Sequence, residues 1–227
     1  MRLHDVGHRR RTGLTLVEGP HLVADVSAFG AETTAIYALE GSTFDVGRVT
    51  EVSPAVLAKL AGTKSPRGPI AVVRIPETAQ VRAADSVVLW DVGDPGNVGA
   101  IIRSAAVFGF DVVVVGESAD VWSPKAIRSA AASQFATRVS VVSATTALPT
   151  LRETGLTVCA TVPDGGVAPG DITSDQLAVV IGNEAHGLPE FLVDEADVLV
   201  TIPMAGKVES LNAAVSAGIV LHALAGR

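Results

Sequence analysis

One cysteine, Cys159, is all that the 227 residues offer, so neither an internal disulfide nor a multi-cysteine metal site can form. The five histidines, His4, His8, His21, His186 and His222, show no ligand spacing, and no metal is expected. No run of about 18 apolar residues occurs, which excludes a membrane-spanning helix. Arg2 and the run Arg9, Arg10, Arg11 imitate the basic start of a secretory signal. Glu18, Gly19, Pro20 and Asp25 interrupt the apolar stretch that should follow, so no secretory core forms. A soluble, cytoplasmic chain in a reducing compartment is the expectation.

Positive charge is also scarce: the net charge is −7, which speaks against a polyanionic partner. The deficit is uneven, however. Residues 1–82 carry ten Lys/Arg against eight Asp/Glu, whereas residues 83–227 carry seven against sixteen. The N-terminal part is therefore the better contact for a polyanion, and Arg9, Arg10 and Arg11 form its most basic stretch. The same run also reads as a solvated terminus, and charge alone does not choose.

What the chain has in quantity is apolar residues, 48% of the total, enough for a substantial core without metal or disulfide. Residues 1–75 alternate short patterns: strands over 35–39 and 69–75, and a helix over 54–60 with Ser53 as its N-cap. Residues 76–85 lack a sustained apolar face and read as a linker. From residue 86 onward the pattern becomes regular. Strands are expected over 86–90, 111–115, 138–142, 156–162, 176–181 and 198–202. Helices are expected over 97–109, 124–132, 146–153, 189–195 and 209–225. Continuous Val/Ile/Leu strands alternating with helices imply a largely parallel α/β sheet covered on both faces.

Three segments bring polar groups and glycines to the ends of such strands, where α/β sheets bind ligands. The first, residues 91–109, reads DVGDPGNVGAIIRSAAVFG. Its glycines match neither the GxGxxG dinucleotide fingerprint nor a P-loop, which disfavours a nicotinamide-dependent oxidoreductase. Asn97 is placed to cap the helix. Val98, Ile101, Ile102, Ala105 and Phe108 share one face, leaving Arg103 off its centre; in an isolated helix Arg103 is simply a solvated arginine. The second, residues 179–189, reads VVIGNEAHGLP: a buried strand, then a polar loop in which Gly182 and Gly187 permit close approach to the backbone. Asn183, Glu184 and His186 supply polar groups, although a plain strand-to-helix connection would look the same. The third, residues 202–214, reads IPMAGKVESLNAA and leads into the last helix, with Ser210 as N-cap and Asn212 in the first turn. Leu211, Val215, Gly218 and His222 follow one helical stripe, which makes His222 a core or subunit-interface histidine rather than a ligand. The neighbouring Ala213, Ala214 and Ala217 favour close packing.

In order and spacing, the patterns NxGxxxRSAxxFG, IGNExxGL and IPMxGxxxSLN resemble the three signature motifs of the SpoU (TrmH-like) family, ribose 2′-O-methyltransferases of RNA within the SPOUT superfamily. The resemblance covers residues 86–227. More loosely, LVEG at 16–19 and TKSPRGPIAVV at 63–73 resemble that family's N-terminal substrate-binding domain. The resemblance implies a trefoil-knotted α/β catalytic domain with a mostly parallel sheet, and a small N-terminal α/β substrate-binding domain over residues 1–75. It implies S-adenosylmethionine as cofactor, held by Thr161 and Val162, by Ile181, Gly182, Asn183 and Gly187, and by Ile202, Pro203, Met204, Ser210 and Leu211, with Met204 and Leu211 flanking the adenine. It implies a homodimer in which Arg103 acts near the neighbouring subunit's pocket, supported by Asn97, Glu184, Ser210 and Asn212. Because arginine stays protonated, the role expected of Arg103 is to orient the ribose and stabilise the developing alkoxide. Structured RNA, ribosomal rather than transfer RNA, is the expected substrate, contacted by Arg9, Arg10, Arg11, Lys125 and Arg128. One departure stands out. Where many relatives read KAxRASxG, residues 125–132 read KAIRSAAA, so Ala130 and Ala132 replace a serine and a glycine. That leaves open a fold-retaining RNA-binding assembly factor without turnover.

Overall fold

The structure is a computed structural model that describes residues 2–44, 48–61, 66, 68–206 and 210–226. Residues 63–65 and 67 of the TKSPRGPIAVV segment, and the helix start expected at Glu209, lie outside the described residues. The N-terminal part comprises α1 (Val6–Thr12), β1 (Leu14–Glu18), α2 (Pro20–Ala28), β2 (Thr33–Leu39), β3 (Thr50–Val52), α3 (Pro54–Ala61) and β4 (Ile70–Arg74). Its four-stranded sheet runs β1-β4-β2-β3, with β4 antiparallel to both neighbours and β3 parallel to β2.

The second part comprises β5 (Ser86–Trp90), α4 (Pro95–Phe108), β6 (Asp111–Val115), α5 (Pro124–Ser129), β7 (Val139–Val142), α6 (Ala144–Glu153), β8 (Thr157–Thr161), β9 (Leu177–Ile181), α7 (Glu190–Glu195), β10 (Val198–Val200) and α8 (Ala213–Leu224). All six strands are parallel, in the order β10-β8-β9-β5-β6-β7. The unbroken apolar strands are explained by burial on both faces. Val87, Leu89, Val179 and Ile181 pack under α4 and α8, while Val88, Trp90, Val180 and Ala160 pack under α6 and α7. On α4 the expected stripe is the buried one: Val98, Ile101, Ile102 and Ala105 are fully buried, with Phe108 packed at its end. No helix among the described residues is long and apolar enough to cross a membrane.

The linker expected over 76–85 contains no helix or strand, but it is lashed to the second sheet. Ala79 bridges Ser140, Arg82 forks onto Asp111 at 2.6 and 3.1 Å, and Asp85 accepts the Leu177 amide at 2.7 Å. The N-terminal sheet also shares a core with α5 and the turn after it, in which Ile127 and Ala132 pack with Val17, Val23, Ile36 and Val73.

Many element ends shift by one or two residues from the sequence expectations, and three boundaries depart for a visible reason. The helix expected over 124–132 stops at Ser129 because Ala131 and Ala132 turn left-handed, at φ +49° and +60°. The last helix begins at Ala213, its cap being Asn212, whose Oδ1 accepts the Ala214 and Val215 amides at 2.9 and 3.3 Å; Ser210 is not the cap. Nor does Asn97 cap α4: Asp94 does, accepting the Gly96 and Asn97 amides at 2.7 and 3.0 Å.

The two left-handed alanines differ in what they bury. A left-handed L-residue costs roughly 1–2 kcal/mol, and glycine there loses part of that gain to its freer unfolded state. Ala131→Gly should therefore stabilise the protein by about 0.5–1 kcal/mol in urea denaturation. Ala132→Gly should be close to neutral, since the Ala132 methyl is fully buried against the N-terminal sheet.

Candidate functional site

The loops that follow β8, β9 and β10 meet at the carboxyl ends of their strands and enclose a cavity of about 510 Å³, within the roughly 300–1,000 Å³ range of small-molecule sites. Thr161, Val162, Ile181, Gly182, Asn183, Gly187, Ile202, Met204, Ser210 and Leu211 all line it. Pro203 does not line it; it only links two residues that do. The cofactor contacts expected from the motifs did not include Pro163, Leu188, Val193, Val200, Ala213 and Ser216, which complete the wall. Ala213 and Ser216 lie three residues apart on α8, a helical spacing that could have revealed a shared face once the helix start was known.

Met204 and Leu211 are apolar yet 39% and 41% exposed, so the cavity mouth presents two hydrophobic side chains to solvent. Glu184 is the only acidic or strongly basic side chain lining the cavity among the described residues. Beside the cavity the polypeptide is tightly crowded at Gly182, where a Cβ would stand 2.6 Å from the carbonyl carbon of Gly187. Any side chain there would push the loop apart. The loop is closed by paired bonds between the backbones of Asn183 and Gly187, at 3.1 and 2.9 Å.

The five expected polar residues fall into three groups. The Glu184 carboxylate accepts the Gly93 and Asp94 amides at 3.1 and 3.2 Å and Asn97 Nδ2–H at 2.8 Å. Asn212 Nδ2–H in turn donates to Asn97 Oδ1 at 3.0 Å. One chain of hydrogen bonds thus ties the loops after β5, β9 and β10 together, and it explains why Asn97 is not free to cap its helix. Ser210 lines the cavity without entering this chain. Arg103 stands apart: it is exposed on α4, does not line the cavity, and has no hydrogen bond or ion pair to the described residues.

Burial pushes the Glu184 carboxyl up, but hydrogen bonds from Asn97 and from the amides of Glu184, Gly93 and Asp94 outweigh it, and the net direction is below the ordinary value of 4.5. A depressed carboxylate contributes stability that is present above its unfolded pKa and lost as pH falls through its folded pKa. The melting-temperature gap between wild type and Glu184→Gln should therefore be constant at neutral pH and shrink below about pH 4.5. A gap that persists at lower pH would place the stabilisation elsewhere.

The basic residues proposed for RNA divide. Arg10 and Arg11 are exposed, and so are Lys125 and Arg128. Lys125 is paired with Asp94 at 2.8 Å, both largely open to water. Arg9 is a correction: it is only 3% exposed, with Nε on Asp120 at 2.9 Å and an Nη on the Leu3 carbonyl at 2.8 Å. Its charge is spent inside the protein. His222 is likewise not in the core: it is exposed, its ring tilted against Phe108 with centroids 5.4 Å apart.

Residues 85–222 match the SpoU rRNA methylase family. The chain belongs to that family. Residues 1–71 of this SpoU-family chain match the MRM3-like substrate binding domain. Among characterised relatives, the 23S rRNA (guanosine(2553)-2′-O)-methyltransferase RlmP of Bacillus subtilis is 30% identical over 99% of this chain and 94% of its own. An AdoMet-bound rRNA methyltransferase from Sinorhizobium meliloti superposes with a TM-score of 0.86 at 29% identity, over 98% of this chain and 90% of that one. The SpoU methyltransferase AviRb from Streptomyces viridochromogenes, solved with AdoMet, gives 0.83 at 27% identity, over 97% and 92%.

Proposed function

We propose that this SpoU-family chain is an S-adenosylmethionine-dependent methyltransferase acting on a ribose 2′-hydroxyl of structured RNA, ribosomal rather than transfer RNA. The observation that carries this is the cavity itself, walled by the three motif loops and bridged by Glu184, Asn97 and Asn212. Its lining fits the cofactor. Backbone groups at the strand ends suit ribose and amino-acid moieties, and the exposed Met204 and Leu211 suit the faces of an adenine. The lone acidic residue suits a cationic sulfonium and disfavours the phosphates of a nucleotide. Ribosomal RNA is favoured by the RlmP relative, which matches over nearly its full length.

When bound, S-adenosylmethionine supplies the electrophilic methyl group. The chain's own residues hold and orient. Thr161, Gly182, Asn183 and Ile202 wall the cavity, and the Glu184–Asn97–Asn212 chain fixes the loops so that the hydroxyl meets a rigid site. Arg103 orients the ribose and stabilises the developing alkoxide, working in the site of a second subunit. The homodimer this requires is supported by an uncovered apolar patch on α4 and α8, where Val107, Val215 and Ile219 are 70%, 50% and 40% exposed. Arg10, Arg11, Lys125 and Arg128 contact the RNA.

The same reading assigns residues 1–75 to a substrate-binding domain, 76–85 to a linker and 86–227 to the catalytic domain, whose cavity loops form a trefoil knot. The close passage of Gly166 against β10, where a Cβ would stand 2.7 Å from the backbone of Leu199 and Val200, supports such crowded threading. We place the protein in the cytoplasm with its RNA. The test is transfer of tritiated methyl from S-adenosylmethionine to total RNA of a strain lacking this protein, with the labelled nucleotide mapped. Label on a ribose 2′-oxygen is expected. Cofactor binding without label on any RNA or ribonucleoprotein particle would turn the reading to an RNA-binding assembly factor without turnover.

A further inference from the structure

Asp91 neither lines the cavity nor belongs to the hydrogen-bond chain described above, yet its backbone and its carboxylate are both held in place. It is the first residue after β5 and holds a left-handed backbone, φ +54°, a conformation that L-residues other than Asn and Asp rarely adopt. Its carboxylate Oδ1 accepts the Glu117 amide at 2.6 Å, and its own amide reaches the Val115 carbonyl at 3.3 Å. Both contacts are to the end of β6. The fit is close enough to dictate the neighbour: at Gly116, itself at φ +64°, a Cβ would stand 2.1 Å from Asp91 Oδ1.

The consequence appears on the other side of the peptide. With the backbone so turned, the Asp91 carbonyl accepts Asn183 Nδ2–H at 2.8 Å. That bond fixes the Asn183 amide group, whose Oδ1 accepts the Ala185 and His186 amides at 2.9 and 3.1 Å. Asn183, Ala185 and His186 all line the cavity. A path therefore runs from Gly116 at the end of β6, through Asp91, to Asn183 and the β9 loop, without passing through Glu184.

We propose that Asp91, seated against Gly116, is a positioning residue for the cofactor loop: its carboxylate locks the left-handed turn that aims its carbonyl at Asn183. The inference rests on the methyltransferase reading for its effect on catalysis, but not for its effect on the loop. Asparagine at 91 keeps both the acceptor and the tolerance of a left-handed backbone. Alanine keeps neither, and its backbone relaxes so that the carbonyl leaves Asn183.

The test uses the full chain. In the unliganded protein, hydrogen exchange of the Ala185 and His186 amides should rise about tenfold in Asp91→Ala, the loss of one side-chain-to-backbone bond. Amides of β8 and α6 should be unchanged. S-adenosylmethionine affinity, measured by calorimetry, should weaken by about the same factor with kcat at saturating cofactor changed less than threefold. Asp91→Asn should stay within twofold of wild type on every measure. Gly116→Ala should reproduce Asp91→Ala, and the double variant should be no worse than either single one. If Asp91→Ala does not fold, Asp91→Gly, which permits the turn but does not lock it, carries the test with the same expected direction. Unchanged exchange at Ala185 and His186, additive effects with Gly116→Ala, or failure of Asp91→Asn to rescue would each overturn the proposal. Failure of the wild type to bind cofactor would fall on the methyltransferase reading alone, and the exchange measurement would still decide the role of Asp91.

Discussion

Arg103→Lys is expected to lose methyl transfer by on the order of 100-fold, with folding stability and cofactor affinity left as they are. The separation of the two effects is what the geometry predicts. Arg103 is exposed on α4, has no partner among the described residues of its own chain, and does not line its own cavity. Surface substitutions of that kind change stability by no more than about 0.5 kcal/mol. In the dimer proposed above, such a residue would do its work in the other subunit's site. Lysine keeps the charge but not the planar fork, so a large loss on that change argues for oriented donors rather than a bare positive field. Subunit mixing supplies the decisive version. Arg103→Ala, with an intact cavity, is refolded with Gly182→Val, whose loop is split by the side chain against Gly187. If Arg103 acts across the interface, statistical mixing restores about one quarter of wild-type activity, half the dimers having one good site of two. If it acts within its own chain, the mixture stays inactive and the proposed composite site is wrong.

The parts of this molecule legible in the sequence were those governed by local pattern. Strands such as Val87–Leu89 and Val179–Ile181 announce themselves because burial on both faces leaves no polar residue to break the run. The α4 stripe is equally plain, since one helical face must meet the sheet. The cavity residues emerged from the motifs together with the family resemblance, not from spacing alone. What stayed hidden was decided by partners far along the chain. Asp94 and Asn97 are both good caps three residues apart, and which one caps α4 depends on Glu184, which is 87 positions away from Asn97 and takes its amide. Ser210 and Asn212 pose the same ambiguity, and Asn212 is chosen while also reaching Asn97 across 115 residues. Asp91 shows no signal at all: a left-handed aspartate is invisible until the loop after β6 is seen beside it.

The run Arg9–Arg11 shows the same limit for charge, and it carries the second large expectation. Three consecutive arginines look alike in sequence, but on α1 they point in different directions, and only Arg9 turns inward. There it forks onto Asp120, 111 residues later, and onto the Leu3 carbonyl. Asp120 lies just before α5 and also accepts the Trp122 amide at 3.0 Å. Next to it, Thr15 Oγ1–H donates to the Trp122 carbonyl at 2.6 Å. These bonds join the N-terminal sheet to the segment that leads into Lys125 and Arg128. Removing one member of a buried pair leaves the other charge without its partner, which costs about 3–5 kcal/mol. Asp120 keeps the Trp122 amide and its side chain is 19% exposed, so Arg9→Ala should fall near the low end, about 3 kcal/mol in urea denaturation. The double variant Arg9→Met with Asp120→Leu should recover most of that, because an apolar pair restores packing without a stranded charge. Arg10→Ala and Arg11→Ala should do the reverse. They should leave stability within about 0.5 kcal/mol, yet make RNA binding less sensitive to salt, by nearly one unit of slope for each phosphate that is no longer neutralised. Equal behaviour of all three alanine variants would mean that Arg9 is not held as the geometry has it.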